Sequence, residues 1–429
     1  MNHVLITFLV LAFVIAAIIS KKIPVIAIGL LIPFFLAVTG VVPAATAFSG
    51  LGSKTILLII GALVLGDACF RTGLTDFIGE YVIRYTRHFT NEHVKLFLIA
   101  MLAAIMSSFL SSFGVQVALL SLIIVMSQML RISKTRALMA LGYGATIGGT
   151  WTVIGTPIMF IAKSTYEASV SGDTIGMFEI GTASIPIGII VLFFYSFITS
   201  RFLPDRCSSE ADTFQTNNTE KTANPSGTTR NRLIVAATFV IFILLVALDG
   251  KTFLPANMVT VLVLLILGGT GISSVKDMVN CISWDVILFI SGITLLSDAM
   301  AASGLSEIIG NLLISTVGNT GNPYMIIGLV CIISAIITQL MSNSGAFGIM
   351  IPLLPVISVS LGVNLKPLIV AAAISCSAGF CLPLSAPSYI MLAGEGNIQT
   401  TDWIRQGLPA LSITILLTTL LVPTFFPLY

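Results

Sequence analysis

Two clusters of neutral polar residues interrupt long apolar runs of this chain: Ser107-Ser108 with Ser111-Ser112-Phe113-Gly114, and Met341-Ser342-Asn343-Ser344-Gly345. Each precedes a second apolar run that a helix cannot traverse smoothly. In the first, Gly148-Gly149-Thr150 and Gly155-Thr156-Pro157 intervene; in the second, Gly379, Pro383 and Pro387 do. Proline removes a backbone donor and clashes with the preceding turn, so both runs predict discontinuous helices. The chemistry open to such places is coordination. Freed carbonyls and hydroxyls can hold a small cation, and a helix that restarts offers N–H groups and the positive end of its dipole to an anion. Covalent catalysis finds no support. His3, His88 and His93 lie outside the apolar runs, and the six cysteines form no CxxC pair. GYGATIGG around Gly142 is not the dinucleotide fingerprint, and small residues at this spacing serve close helix packing. No phosphate-binding loop occurs either, so any transport would be driven by gradients.

The elements that carry these clusters were made by duplication. LGDACFRTGLTDFIG from Leu65 to Gly79 returns as LSDAMAASGLSEIIG from Leu296 to Gly310, with seven of fifteen positions identical. The same register superposes Gly61 on Gly292 and Gly114 on Gly345. Apolar stretches of helical length fall at 4–20, 23–42, 55–70, 94–130 in two pieces, 137–162 and 177–200. They recur at 232–248, 257–271, 285–300, 324–361 in two pieces, 367–392 and 408–427. Duplicated halves in a polytopic membrane chain are the signature of secondary transporters, whose halves rock around a site held between them.

Composition agrees. With 56% hydrophobic and 9% charged residues, the chain cannot be a soluble domain, whose charged share is about a quarter. It is an all-α polytopic membrane protein in expectation, with the lipid bilayer as partner and no nucleic-acid-binding basic patch. The two double segments read as re-entrant hairpins, because polar backbone is tolerated at membrane depth only where it lines a site. With the N-terminus outside, 16 of the 20 Lys and Arg residues fall on inner loops and only Lys54, Lys163, Lys251 and Lys366 outside. Five spans per half then turn the second half upside down relative to the first. The fold expected is two inverted-topology repeats, 1–200 and 232–429, each of five transmembrane helices plus one re-entrant hairpin, with broken helices at the midplane. The polar stretch 201–231 is a cytoplasmic linker and both termini are external. Parity alone does not separate a hairpin from a pair of full spans.

Hairpin tip Ser342-Asn343-Ser344 resembles the Ser-Asn-Thr signature of the divalent anion:sodium symporter family, and Gly149 through Pro157 resembles that family's Gly-Thr-Pro unwound segment. The order of hairpin, broken helix and last span, given twice, matches the family over nearly the whole chain. The resemblance implies a homodimer in a bacterial-type plasma membrane that moves small divalent anions of the dicarboxylate type. It implies sodium symport by an elevator motion, with no other cofactor. Carried over residue by residue, Ser342, Asn343 and Ser344 would contact substrate carboxylate and sodium, with Ser111 and Ser112 at the other tip. Thr156 and Pro157 with Gly155 would shape the first-half ion site, and Ser385 with Pro387 the second, with sodium near Ser112, Gly155, Asn343 and Ala386. The departures are Ser112 and Phe113 in place of Asn and Thr at the first tip, and Ala386 where a Thr is expected. A phenyl ring beside the site would favour a smaller or more apolar anion, or loss of the first sodium.

Two classes stand against each other. A secondary transporter uses the duplication, the hairpins and the breaks together. A channel or an intramembrane enzyme leaves the equivalent breaks without a use. Within the first class, a sodium-independent exchanger or a proton-coupled transporter of the same fold is the alternative to sodium symport. The repeat-equivalent Asp67 and Asp298 read as structural, since the Gly-x-Gly-Asp pattern of intramembrane proteases is missing.

Overall fold

In the computed structural model, which describes residues 3–20, 22–75, 77, 79, 89–130, 132–170, 172–203, 229–247, 255–305, 308 and 322–429, the regular elements are all helical. The first half runs α1 (His3–Ser20), α2 (Val25–Val38), α3 (Lys54–Arg71), α4 (Glu92–Ser107), α5 (Ser112–Met129), α6 (Lys134–Gly148), α7 (Pro157–Ser169) and α8 (Gly181–Phe197). The second runs α9 (Thr229–Ala247), α10 (Ala256–Gly269), a short α11 (Val275–Asn280), α12 (Trp284–Ser303), α13 (Pro323–Leu340), α14 (Asn343–Met350), α15 (Leu354–Leu361), α16 (Leu365–Ser377), α17 (Pro387–Gly396) and α18 (Thr400–Phe425). Adding 231 to the starts of α2, α4, α5 and α6 gives the starts of α10, α13, α14 and α16. Among the described residues, five helical stretches are at least 18 residues long and apolar enough to cross a bilayer, and five shorter apolar helices accompany them. Most of the linker, including Cys207 and Asn217, lies outside the described residues, as do His88 and Lys251.

Packing repeats with the sequence, and reciprocally. Helix α2 packs on α12, and its counterpart α10 packs on α3, the counterpart of α12. Close approach explains the glycines there. A Cβ at Gly29 would stand 2.5 Å from the Leu288 backbone, and one at Gly61 would stand 2.6 Å from the Thr260 hydroxyl. Residues 29 and 260, and 61 and 292, are the same two positions of the repeat. Such a mutual exchange is what a two-fold relation between the halves produces.

The helices sort into two groups. Helices α1, α2, α3, α9, α10 and α12 pack among themselves, while α4, α5, α6, α8, α13, α14, α16, α17 and α18 form a second bundle. The groups meet chiefly where α7 and the turn Ile351–Leu353 touch α12, where α7 touches α3, and where α14 touches α1. Side chains clamp the second bundle at both ends. Arg136 Nη1 sits 3.2 Å from the Glu92 carboxylate, joining the starts of α4 and α6. At the other end Lys366 Nζ stands 3.0 Å from Asp173 and 2.8 Å from Glu179. The Tyr166 hydroxyl and the Lys366 ammonium hold the Asp173 carboxyl down at about 2. Its ion pair is therefore complete above the ordinary carboxylate pKa of about 4 and is lost only as pH falls toward 2. Between the ends, Tyr143 packs edge-on against Tyr195, Phe380 and Trp403, joining the halves through apolar area.

Both double segments form hairpins. Lys95 near the start of α4 donates to Leu130 O just past the end of α5 at 3.0 Å, so the two arms are antiparallel. The tip residues Ser107 and Ser108 meet the end of α6, and α7 then leaves toward α3, α12 and α16. The hairpin thus stops where the broken helix breaks, which is the re-entrant arrangement.

Asp67 lies one turn inside α3, 3.7 Å from Arg71, which reaches Asp277 of α11 at 2.8 Å. That is an interhelical tie. Asp298 holds the corresponding place in α12. The two described histidines stand just before the apolar runs. His3 opens α1, and His93 lies in the first turn of α4 with Nδ1 2.9 Å from Ser196 O. Neither stands near a tip. The last span also starts earlier than its apolar run, at Thr400 rather than 408, because Gln399 and Asp402 form a capping box on a polar first turn.

Candidate functional site

Helix α6 ends at Gly148 and α7 begins at Pro157, with Thr156 extended before it at φ −142°, ψ 155°. Helix α16 ends at Ser377, and α17 begins at Pro387 after Ala386 at φ −143°, ψ 135°. The two unwound stretches are the breaks the prolines and glycines predict. In each, proline takes the first helical position, where its missing N–H costs nothing.

The hairpin tips dock on the breaks through matching contacts. In the first half, Ser107 Oγ donates to Ala145 O and lies 2.8 Å from Ser112 Oγ. In the second, Thr338 Oγ1 donates to Cys376 O at 2.6 Å and lies 2.8 Å from Asn343 Oδ1. Each of these residues is 231 positions from its partner in the other half. Ser112 Oγ also stands 3.5 Å from Gly155 O, and Asn343 Nδ2 stands 3.5 Å from Ser377 O.

Glycine leaves the space these oxygens occupy. A Cβ at Gly149 would overlap both Ser112 Oγ and Thr156, and one at Gly379 would overlap Asn343 Oδ1 and stand 2.7 Å from Ser385 Oγ. At Gly155 it would meet Ser107 O at 2.8 Å. Ser112, Gly155 and Thr156 are thereby brought together in one half, and Asn343 and Ser385 in the other. Ser385 Oγ donates to Gly379 O at 2.6 Å. Ser342 caps α14, accepting from Gly345 N at 3.3 Å, while Ser344 occupies the first turn of α14. Thr156 Oγ1 is buried with no hydrogen-bond partner among the described residues. A buried hydroxyl oxygen without a partner is costly, and a bound cation would satisfy it.

A cavity of about 70 Å³ lies between the two helix groups, lined by Ser111, Phe109, Gly155, Thr156 and Pro157 on one side and by Ile59, Ala62 and Val286 on the other. Phe113 does not line it and is 53% exposed. A helix repeats every 3.6 residues, and one position beyond Ser112 is turned away from what Ser112 faces. The two breaks are neighbours: Ile147 and Thr150 share a smaller cavity, about 20 Å³, with Ser377, Ala378 and Phe380.

No Asp, Glu, Lys or Arg occurs in residues 107–112, 148–157, 338–343 or 377–387. The four helices that begin at the tips and breaks, α5, α7, α14 and α17, contribute partial positive charge instead. Ser107, Gly149 and Gly379 belong to the polar cluster and the breaks that the sequence marks, while Thr338, which also belongs to the arrangement, is marked by no motif. The signal available was the register: Ser107 and Thr338 are both hydroxyls at one position of the repeat.

The sequence model of a family described as citrate transporter matches residues 14–353 and again 244–429. A sodium-dependent dicarboxylate transporter of Staphylococcus saprophyticus is 24% identical over 94% of this chain and 83% of its own length. A protein of Haemophilus influenzae described as an uncharacterized transporter is 24% identical over 92% of this chain and 86% of its own. Human solute carrier family 13 member 4 shares 28% identity over 33% of this chain and 22% of its own. Two solved structures share the fold. The YdaH transporter of Alcanivorax borkumensis has a TM-score of 0.63 at 14% identity, covering 99% of this chain and 98% of its own. MtrF of Neisseria gonorrhoeae has 0.66 at 13%, covering 98% and 94%. The resemblance to the divalent anion:sodium symporters is borne out, and the chain belongs to the citrate transporter family of multi-pass membrane transporters, not of enzymes.

Proposed function

We propose that this protein is a sodium-coupled symporter of small divalent anions of the dicarboxylate type, working by an elevator motion. The observation that carries the reading is the pair of matched tip-and-break contacts, Ser107–Ser112 with Ala145 and Thr338–Asn343 with Cys376. Neutral oxygens set around helix N-termini suit an anion and a hard cation together. A carboxylate accepts hydrogen bonds, sodium takes oxygen ligands, and neither requires a charged side chain. The donor set fits a cation on one concrete ground, the unpartnered Thr156 Oγ1 beside Ser112 and Gly155.

In this reading Ser111, Ser112, Thr156 and Pro157 with Ser342, Asn343, Ser344, Ser385 and Pro387 surround the anion. Sodium lies near Ser112 and Gly155 on one side and near Asn343 and Ala386 on the other. The second helix bundle carries the site and slides along the first. Its clamped ends and its limited contacts with the first group suit a rigid body that moves. The linker is cytoplasmic, both termini are external, and the protein works as a homodimer in the plasma membrane. The relative from Staphylococcus saprophyticus, named for sodium-dependent dicarboxylate transport, adds support.

The test is uptake by proteoliposomes of a panel of labelled succinate, citrate, phosphate and sulfate, with sodium and proton gradients imposed separately. The expected result is saturable uptake of a dicarboxylate driven by inward sodium. Uptake that follows the proton gradient alone, or anion exchange indifferent to sodium, would replace sodium symport with one of the alternatives of the same fold.

A further inference from the structure

In both halves the residue after the arm's hydroxyl ties the hairpin to the break, and these residues, Ser108 and Gln339, are again 231 apart. The ties differ in kind. In the first half Thr152 Oγ1 donates to the backbone carbonyl of Ser108, and the Ser108 hydroxyl turns back to Ile105 O at 2.7 Å. In the second the tie is a side chain. Gln339 Nε2 donates to Ala378 O at 3.0 Å and to Ala335 O at 2.9 Å, while its Oε1 accepts from Cys381 N at 3.0 Å. One amide thus grips both rims of the stretch Ala378–Cys381, whose backbone has left α16. No counterpart of Thr152 is available there, since the repeat places Pro383 at that position.

We propose that Gln339 is the positioning residue of the second half-site: it pins Ala378–Cys381 to α13 and so keeps Gly379 and Asn343 in the arrangement that binds. The inference rests on the functional reading of that half-site given above. Its physical basis is that a backbone N–H and a C=O in a low-dielectric interior both need partners, and a primary amide supplies an acceptor and a donor at once. Glutamate keeps the acceptor alone. Leucine keeps neither.

Cys381 provides a readout that needs no anion, because its own N–H is the group held and its residue is only 5% exposed. In full-length protein with Cys69, Cys207, Cys281, Cys331 and Cys376 replaced by Ala, maleimide modification of Cys381 is timed in the parent, Gln339→Glu and Gln339→Leu, alongside melting in detergent. The expected order is Leu fastest, about 10-fold above Gln, with Glu between. In proteoliposomes the half-saturating concentration of labelled succinate should rise in the same order, with maximal rate per folded protein unchanged. A lowered maximal rate at constant half-saturation would assign Gln339 to fold stability and overturn the proposal. Equal labelling rates in all three proteins would also overturn it. If the parent takes up no succinate, the functional reading fails, and the labelling rates still decide whether Gln339 pins the stretch.

Discussion

The first and second half-sites make one hydrogen-bond pattern from different materials. In the first, Gly144 and Gly148 of α6 lie against Ala100 and Ala104 of α4, and a Cβ at either glycine would overlap an alanine backbone. The equivalent register positions of the second half are Ser375 on α16 and Gly379 just beyond its end, with Cys331 and Ala335 on α13. The tips differ likewise, a serine at 112 facing an asparagine at 343. The first seam is therefore closed by shape, while the second half adds the side-chain ties of Gln339 to Ala378 and Cys381. Shape tolerates no added atom, whereas a polar seam can be retuned by single substitutions.

Five variants probe that contrast. The largest effect belongs to Gly144→Ala, where backbone must give way and overpacking costs about 1–3 kcal/mol. Thermal unfolding in detergent should fall accordingly, while Ser375→Ala at the matching position stays within about 1 kcal/mol. Equal losses at the two positions would erase the distinction between the seams. Next, Asn343→Ala removes a tip amide and leaves Thr338 without one of its contacts. A loss of about 1–3 kcal/mol of anion binding, roughly 5- to 150-fold, is expected. Unchanged affinity in a properly inserted variant would remove Asn343 from the site.

Thr156→Val is isosteric and deletes an oxygen with no hydrogen-bond partner among the described residues. Folding should be unharmed while the half-saturating sodium concentration rises about 10-fold; a drop in stability with sodium affinity intact would make the hydroxyl structural. The smallest change is expected from Ser112→Asn combined with Phe113→Thr, which puts the Ser-Asn-Thr signature of the divalent anion:sodium symporters on the first tip. The parent should show sodium dependence with a Hill coefficient of about one, and the double variant a steeper one, since an added amide oxygen raises the ligand count. Steep dependence in the parent, unaltered by the change, would mean that backbone carbonyls already complete the first site.

Much of this was legible before any coordinates. Helix positions, both hairpins, both breaks and the duplication follow from apolar run lengths, Gly and Pro placement and one repeated register. Ser107 and Thr338 were harder. Inside an apolar helix a hydroxyl ordinarily bonds back to its own preceding turn, and only the approach of α6 and α16 shows that these two reach across instead. Gln339 was invisible for the same reason, since its partners are backbone atoms whose exposure depends on where α16 ends. The exposure of Phe113 was not legible either, because a tip side chain's direction is set by the turn that starts α5.

The central claim, that one site binds anion and sodium together with Asn343 at its second tip, is tested most directly by thermal stabilisation of the detergent-solubilised protein. Melting is followed with succinate or citrate in sodium and in potassium, for the parent and for Asn343→Ala. A ligand that binds only the folded state raises melting with concentration. Sodium and the dicarboxylate should together raise it by more than the sum of their separate shifts, and Asn343→Ala should abolish the excess. An anion shift that is the same in potassium as in sodium and survives Asn343→Ala would contradict the account.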